Sequence, residues 1–529
     1  MNIAVAAANG FPWLTVAGAI PLLGAIVVAL GPVRLSKLVT LAFSVITLVW
    51  VIVMAVRFNT SGPTFQFTEE YSWIPQFGVH YALGVDGIAL VLIGMTVVLM
   101  PVVVLASWHD ADDVADATGA VTRKRSPKLY FALMLVLETM MIGVFSATDV
   151  FLFYVFFEAM LIPMYFMIGS FGVGARQYAA VKFLLYSLLG GLLMLVAVIA
   201  LYVYAGQSAA TGHHGTFMFY SLAHLALSPT VQKWLFLGFF IAFAIKAPLW
   251  PFHTWLPDAT ASAQPGAAVL MLGVMDKVGT FGMIRYCLEL FPDGFHYFTP
   301  LILVLCIISI IYGAIVAIGQ TSMKRLIGYT SISHFGFIVL GIFALTSQGQ
   351  SGATLYMVNH GFSTGALLLI AGFLIVRRGS DKISDYGGVQ KVAPVLAGLF
   401  LISGLAGLSL PGLSTFVSEF LVLVGTFSRY KVAGAFAVAG IILAAIYILW
   451  MYQRTMNGPV ADSVATMPDL RPRELLAVVP LVALIIAMGV YPKPVLDLIN
   501  PAVKSTMSQV HATDPVPAVP AVAQKGIQP

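Results

Sequence analysis

Eight ionisable side chains stand inside long apolar runs: Glu138, Glu158, Lys246, Asp276, Lys277, His334, His360 and Glu419. A charge at the centre of a bilayer costs about 2.5–3.5 kcal/mol on insertion scales. Eight such groups must therefore pair, hydrate or give up their charge. Lysine is the informative choice. Arginine stays charged, whereas a desolvated lysine can release its proton near neutral pH and a nearby carboxylate holds that proton on. A Glu–Lys pair that opens and closes is a one-proton switch, beyond what holding helices together requires. The plainer alternative is inter-helix glue, and for either histidine alone a hydrogen-bonded core role. Asp276, beside Lys277, is left open between a helix-end partner and a functional group.

The spacing repeats. Glu158 precedes Lys246 by 88 residues, and His334 precedes Glu419 by 85. Lys246 sits directly before APLWP, and Glu419 follows SLPG, so both lie beside segments that cannot continue a helix. Broken helices at membrane depth are tolerated where backbone is buried in protein or lines a wet cavity.

The elements that must position these groups follow from composition. Of 529 residues, 60% are hydrophobic and 9% charged, with a mean hydropathy of +0.95. So few charges exclude a water-soluble surface, and apolar runs of about 20 residues exclude a β-barrel. Fourteen spans are expected, near 11–30, 37–56, 84–107, 129–147, 149–170, 181–204, 234–251, 266–288, 299–319, 325–346, 353–376, 393–426, 432–452 and 474–492. Span seven is interrupted at Pro248 and Pro251, and span twelve at Gly407, Pro411 and Gly412. Spans four to eight and nine to thirteen form two five-helix units. Five is odd, so successive units enter from opposite sides, an inverted repeat of the transporter kind.

The expected fold is thus all-α and polytopic. Residues 1–128 hold spans one to three and a cytoplasmic loop, 129–290 the first unit, 291–452 the second, 453–507 span fourteen, and 508–529 a disordered Pro/Ala/Val tail. Loops after odd spans carry 17 Lys and Arg against 8 on the other side, which places both termini outside the cytoplasm. Lys246 and Lys277 alone stay unassigned to a loop. The first run lacks a preceding basic region and reads as a span rather than a signal peptide. Cys287 and Cys306 read as buried core thiols, too few for an iron–sulfur cluster. GVGAR at Gly172 lacks the strand and third glycine of a dinucleotide site. The loop SWHDADDVADATGAVTRKRSPK reads as a solvated excursion with no chemistry of its own.

The segments FYVFFEAMLIPMYFMIG, AIKAPLWPFHTWLPDATASAQPGAAVLMLGVMDKVGTFGMIRY, QTSMKRLIGYTSISHFGFIVLG and NHGFSTGALLLIAG resemble the antiporter-like, proton-pumping membrane subunits of respiratory complex I, bacterial NADH-quinone oxidoreductase. GVDGIAL at the start of span three also fits. The likeness covers roughly spans three to fourteen. Glu419, where the L- and N-type members carry lysine, and the want of a long lateral helix after span fourteen point to the M-type branch. The resemblance implies that Glu158 pairs with Lys246, that Lys277 links two half-channels, that His334 and His360 form a polar axis leading outward, and that Glu419 is the terminal proton site. It makes Glu138 an extra station near the pair. It also implies a bacterial cell-membrane location and subunits N and L as neighbours. NADH, FMN, iron–sulfur clusters and quinone are then expected in partner subunits, with no cofactor or metal in this chain. The loop between spans three and four and the tail depart from the family pattern. The alternative is a subunit of a multisubunit sodium/proton antiporter, which shares the same core; related hydrogenase complexes and a non-conducting scaffold stand further off.

Overall fold

The computed structural model describes residues 10–115, 121–123 and 125–516. Twelve helices among them are long and apolar enough to cross a membrane. Two, α1 (Trp13–Leu30) and α2 (Ser36–Arg57), precede a hairpin of β1 (Gln66–Ile74) and β2 (Val79–Val85). That hairpin was not expected from the sequence. Its buried Glu69 accepts from the Leu14 and Thr15 amides at 2.7 and 3.1 Å, caps the otherwise bare start of α1, and so places a carboxylate at a helix N-terminus.

Next come α3 (Gly87–Ala106), α4 (Pro127–Ser146), α5 (Val150–Phe171) and α6 (Arg176–Gln207). The chain continues with α7 (Pro229–Lys246), the short α8 (Trp255–Ser262), α9 (Pro265–Leu288), α10 (Pro292–Ile318), α11 (Met323–Phe343) and α12 (Ser347–Arg378). The two half-helices α13 (Pro394–Gly407) and α14 (Ser414–Arg429) lead to α15 (Lys431–Met456), α16 (Pro472–Val490) and α17 (Lys493–Gln509). Proline opens α4, α7, α9, α10, α13 and α16, where a missing N–H is harmless and its fixed φ already suits a helix. Asp86 and Asp149 cap α3 and α5 through amide bonds of 2.8 and 2.9 Å.

Both breaks exist, with differences. Span seven ends at Lys246 rather than 251, because Pro248 has no N–H and disfavours helical geometry at Ala247. Span twelve parts between Gly407 and Ser414, where Ser409 and Gly412 take positive φ of 60° and 93°. A third interruption was missed: α5 is broken at Met160, since Pro163 cannot donate to the turn holding Ala159. In α9, π-helical turns at Met271–Met275 and Met283–Leu288 flank Lys277–Gly282. Such turns are rare and recur at functional sites.

Burial sorts the bundle. The crossing part of α9 is wholly enclosed, and α11 and α12 nearly so, while α1, α2, α6, α10 and α15 expose large apolar side chains such as Leu30, Val56, Leu189 and Ile442. The enclosed helices are the ones carrying Lys277, His334 and His360. The exposed apolar belt far exceeds what a soluble monomer presents and suits lipid contact.

Three placements differ from expectation. Arg176, Lys182, Lys324 and Arg325 lie within α6 and α11 rather than in loops, and Lys324 is buried with its ammonium on the Ala263 carbonyl at 2.8 Å. The region after span fourteen holds a further helix, α17, and residues 508–516 run on from it. There Ser347 donates to Asp514 Oδ1 at 2.7 Å and Arg429 donates to the Thr513 carbonyl. The disorder expected from 508 therefore does not hold up to 516, and 517–529 lie outside the described residues. Of the loop between α3 and α4, Asp112 pairs with Lys37 at 2.9 Å, and Arg125 donates to the Asp110 and Phe171 carbonyls.

Candidate functional site

The first group forms where α5, α6 and α7 meet. Glu158 occupies the turn before the α5 interruption and lies against Gly191 of α6, where a Cβ would stand 1.8 Å from Glu158 Oε1. Gly190 admits α7 in the same way, with the Ala242 Cα 3.0 Å from its missing Cβ. Lys246 is fully buried, and its ammonium lies 5.1 Å from the centre of the Phe157 ring and 5.4 Å from that of Phe183. Glu158 and Lys246 are electrostatic neighbours, yet no hydrogen bond joins them, and Lys246 Nζ has no partner among the described residues. The two side chains share this junction without a direct bond.

The break beside Lys246 is held by specific donors. The Trp255 indole N–H donates to the Ile245 carbonyl at 2.9 Å, satisfying a group the helix leaves orphaned. The Trp250 amide donates to Ser309 Oγ at 2.8 Å. These bonds fix the end of α7 while leaving the lysine head free.

Glu138 is not brought to the pair. It is buried on α4 with neither oxygen partnered among the described residues, and it shares no electrostatic coupling with Glu158 or Lys246. The α4 face that meets α5 is the one with Gly143 against the Phe156 ring. Five residues earlier is about 140° around the helix, so Glu138 points elsewhere.

The second group is continuous. Lys277 donates to His360 Nδ1 at 2.7 Å and also to the Leu272 carbonyl, one turn back in the π-helical segment. With an ammonium at Lys277, His360 Nδ1 accepts and the ring proton sits on Nε2, which has no partner among the described residues. His334 Nε2 lies 3.1 Å from the Gly407 carbonyl, so that nitrogen donates and Nδ1 is left as a free acceptor. The two rings meet edge to face, 5.2 Å apart. Each ring thus keeps one nitrogen without a hydrogen-bond partner among the described residues, the complement two stations of a proton relay need. The Gly407 carbonyl ends α13, so the break in span twelve supplies a ligand to this axis.

Beyond the histidines lies Glu419 on α14. Its Oε2 accepts from the Tyr356 hydroxyl at 2.9 Å and from the Ser409 hydroxyl. Ser409 owes its aim to the left-handed backbone of the break. Asn359 clamps the start of α14, donating to the Ser414 carbonyl at 2.6 Å and to Ser418 Oγ at 3.1 Å. Tyr356, Asn359 and Ser409 were missed from the sequence because neutral polar residues are unremarkable within apolar helices.

A third buried charge cluster was also missed. Arg285, taken as a loop residue, lies inside α9 and donates to Asp86 at 2.6 Å, with Glu289 at 3.6 Å. Glu289 in turn accepts from Thr506 of α17 at 2.6 Å. The signal was available: Arg and Glu four residues apart in IRYCLEL fall on one helix face. Among the described residues no group of three or more His, Cys, Asp or Glu is arranged to hold a metal ion.

Known proteins share this architecture. The family profile described as NADH:quinone oxidoreductase/Mrp antiporter, transmembrane, matches residues 147–446. NADH-quinone oxidoreductase subunit M of Mycobacterium tuberculosis is 56% identical over 97% of this chain and 97% of its own length. The subunit M of Rhodobacter capsulatus is 40% identical over 93% and 96%. A chain of respiratory complex I from Thermus thermophilus with bound NADH superimposes with a TM-score of 0.84 at 30% identity, covering 94% of this chain and 99% of that one. A chain of the Mrp complex from Dietzia reaches 0.81 at 20% identity, a likeness of fold alone. The chain therefore belongs to the NADH:quinone oxidoreductase/Mrp antiporter membrane family, in the branch formed by subunit M of NADH-quinone oxidoreductase, a membrane-arm subunit of respiratory complex I.

Proposed function

We propose that this subunit carries protons through the membrane along the buried groups, driven by electron transfer from NADH to quinone in partner subunits. Protons load at Glu158 and Lys246, pass Lys277, His360 and His334, and leave through Glu419. The observation that supports this most is the second group: a lysine head on one histidine nitrogen, two imidazoles edge to face, and a carboxylate held by two hydroxyls. Each member is both proton donor and acceptor in turn, which a static polar core does not require. Glu138 stands outside the route. On the same reading the chain crosses a bacterial inner membrane fourteen times, in two five-helix units of opposite orientation, with both termini on the outer side. Subunits N and L are its neighbours, and FMN, iron–sulfur clusters and quinone stay in partner chains.

Lys277→Met tests the route, because methionine fills a similar volume without an ammonium. NADH-driven acidification of inverted membrane vesicles is measured per assembled complex, with NADH–ferricyanide activity as the assembly control. Acidification falls well below wild type if Lys277 carries the proton. Wild-type acidification at equal complex content overturns the proposal.

A further inference from the structure

Helix α9 presents two working faces. On one, Gly279 and Gly282 receive the end of α7: a Cβ at Gly279 would meet the Phe243 carbonyl oxygen at 2.5 Å and the Ala247 nitrogen at 2.7 Å, and a Cβ at Gly282 would meet the Phe243 ring at 2.5 Å. On the other, Gly273 and Lys277 meet α12. A Cβ at Gly361 would stand 3.0 Å from the Gly273 oxygen, and Lys277 bonds His360. Thr280 extends that face, donating to Met357 Sδ at 3.0 Å. Asp276 lies three residues before Gly279, one turn back on the face turned to α7, while its neighbour Lys277 points to α12.

Asp276 is fully buried, and neither carboxyl oxygen has a hydrogen-bond partner among the described residues. Its electrostatic neighbours are Lys277 on its own helix and Lys246 on α7, and Lys246 in turn responds to both Glu158 and Asp276. An isolated carboxylate at this depth is costly unless a cation or a proton compensates it. A carboxylate kept only for packing or capping would be tied down by donors, as Asp86 and Asp149 are.

We propose that Asp276 is the proton station between Lys246 and Lys277, joining the two groups of the site. A proton leaves the Lys246 ammonium for the Asp276 carboxylate, giving a neutral amine and a neutral acid. It then passes to the Lys277 amine, restoring the carboxylate and forming an ammonium. Only N–H and O–H bonds are exchanged, so atoms and charge balance without a co-reactant. The inference rests on the proton route proposed above and assigns it a member that the sequence left open.

The test uses assembled complex in inverted vesicles, with the rate of NADH-driven proton translocation per assembled complex as the readout. A structural residue would alter complex content and leave this rate unchanged. Asp276→Asn is expected to lower the pumping rate per complex at least about tenfold, short of the roughly hundredfold of a lost acid–base group because water substitutes in part. Asp276→Glu is expected to restore most of it. Wild-type pumping by Asp276→Asn, while Lys277→Met loses it, overturns the station and leaves the route standing; normal pumping by both removes the route as well. Should Asp276→Asn fail to assemble, Asp276→Ala, smaller than the native residue, replaces it. Loss of assembly in both assigns Asp276 a packing role and equally overturns the proposal.

Discussion

Replacing Glu419 separates the sign of a buried charge from its hydrogen bonding. Oε2 of Glu419 accepts two hydroxyls, Tyr356 and Ser409, in a fully buried site. Glu419→Gln can present its amide oxygen to both, so two charge-assisted bonds become neutral ones, a loss of about 1–3 kcal/mol in all. Glu419→Lys has no acceptor at all. It leaves up to two hydroxyls unsatisfied at about 1–3 kcal/mol each, or about 2–6 kcal/mol together. Glu419→Asp keeps the charge but retracts it by one methylene, weakening one of the two bonds. The expected order of vesicle acidification is wild type, then Asp with much of the activity, with Gln and Lys near background. Complex content by NADH–ferricyanide activity should fall most for Lys. Wild-type pumping and content in Glu419→Lys would refute this account, because the hydroxyls would then need no acceptor and the route no acid.

Two further substitutions probe the scaffold that holds the lysines. Gly279→Ala drives a Cβ into backbone atoms of Phe243 and Ala247, which no rotamer change relieves; overpacking of this kind costs about 1–3 kcal/mol. Complex content on native gels should drop several-fold, and wild-type content would show that α7 and α9 are not pressed together there. Trp255→Phe removes the donor to the Ile245 carbonyl and leaves that buried group unpaired at about 1–3 kcal/mol. NADH-driven pumping per complex should fall more than complex content, and an equal fall in both would make Trp255 a packing residue only.

Much of this protein is legible in one dimension. Hydropathy is a local property, so the crossing helices could be placed approximately, although spans nine and eleven begin at Pro292 and Ser347 rather than 299 and 353, and prolines at 248 and 411 announced the breaks in spans seven and twelve. The α5 interruption escaped because Pro163 stands in an otherwise unbroken apolar run. The hairpin and α17 escaped because amphipathic or short elements carry little hydropathy signal. Ionisable residues in apolar runs are conspicuous by type alone, and seven of the eight first singled out fall in or beside the two groups of the site, with Glu138 apart.

What sequence alone determined is the membrane class, the approximate spans, the breaks and the identity of the ionisable groups that build the site, since each depends on neighbouring residues only. Which groups face one another was decided by the tertiary structure. Contact between α9 and α12 turns Lys277 to His360, and the same helix rotated by one residue carries Asp276 toward Lys246. The rotation of a fully enclosed helix is invisible in its hydropathy, because every side is apolar, and α9 is enclosed on all sides. Its orientation is set by glycines at 273, 279 and 282 meeting backbone and side chains of other helices, and those partners are far away in the chain.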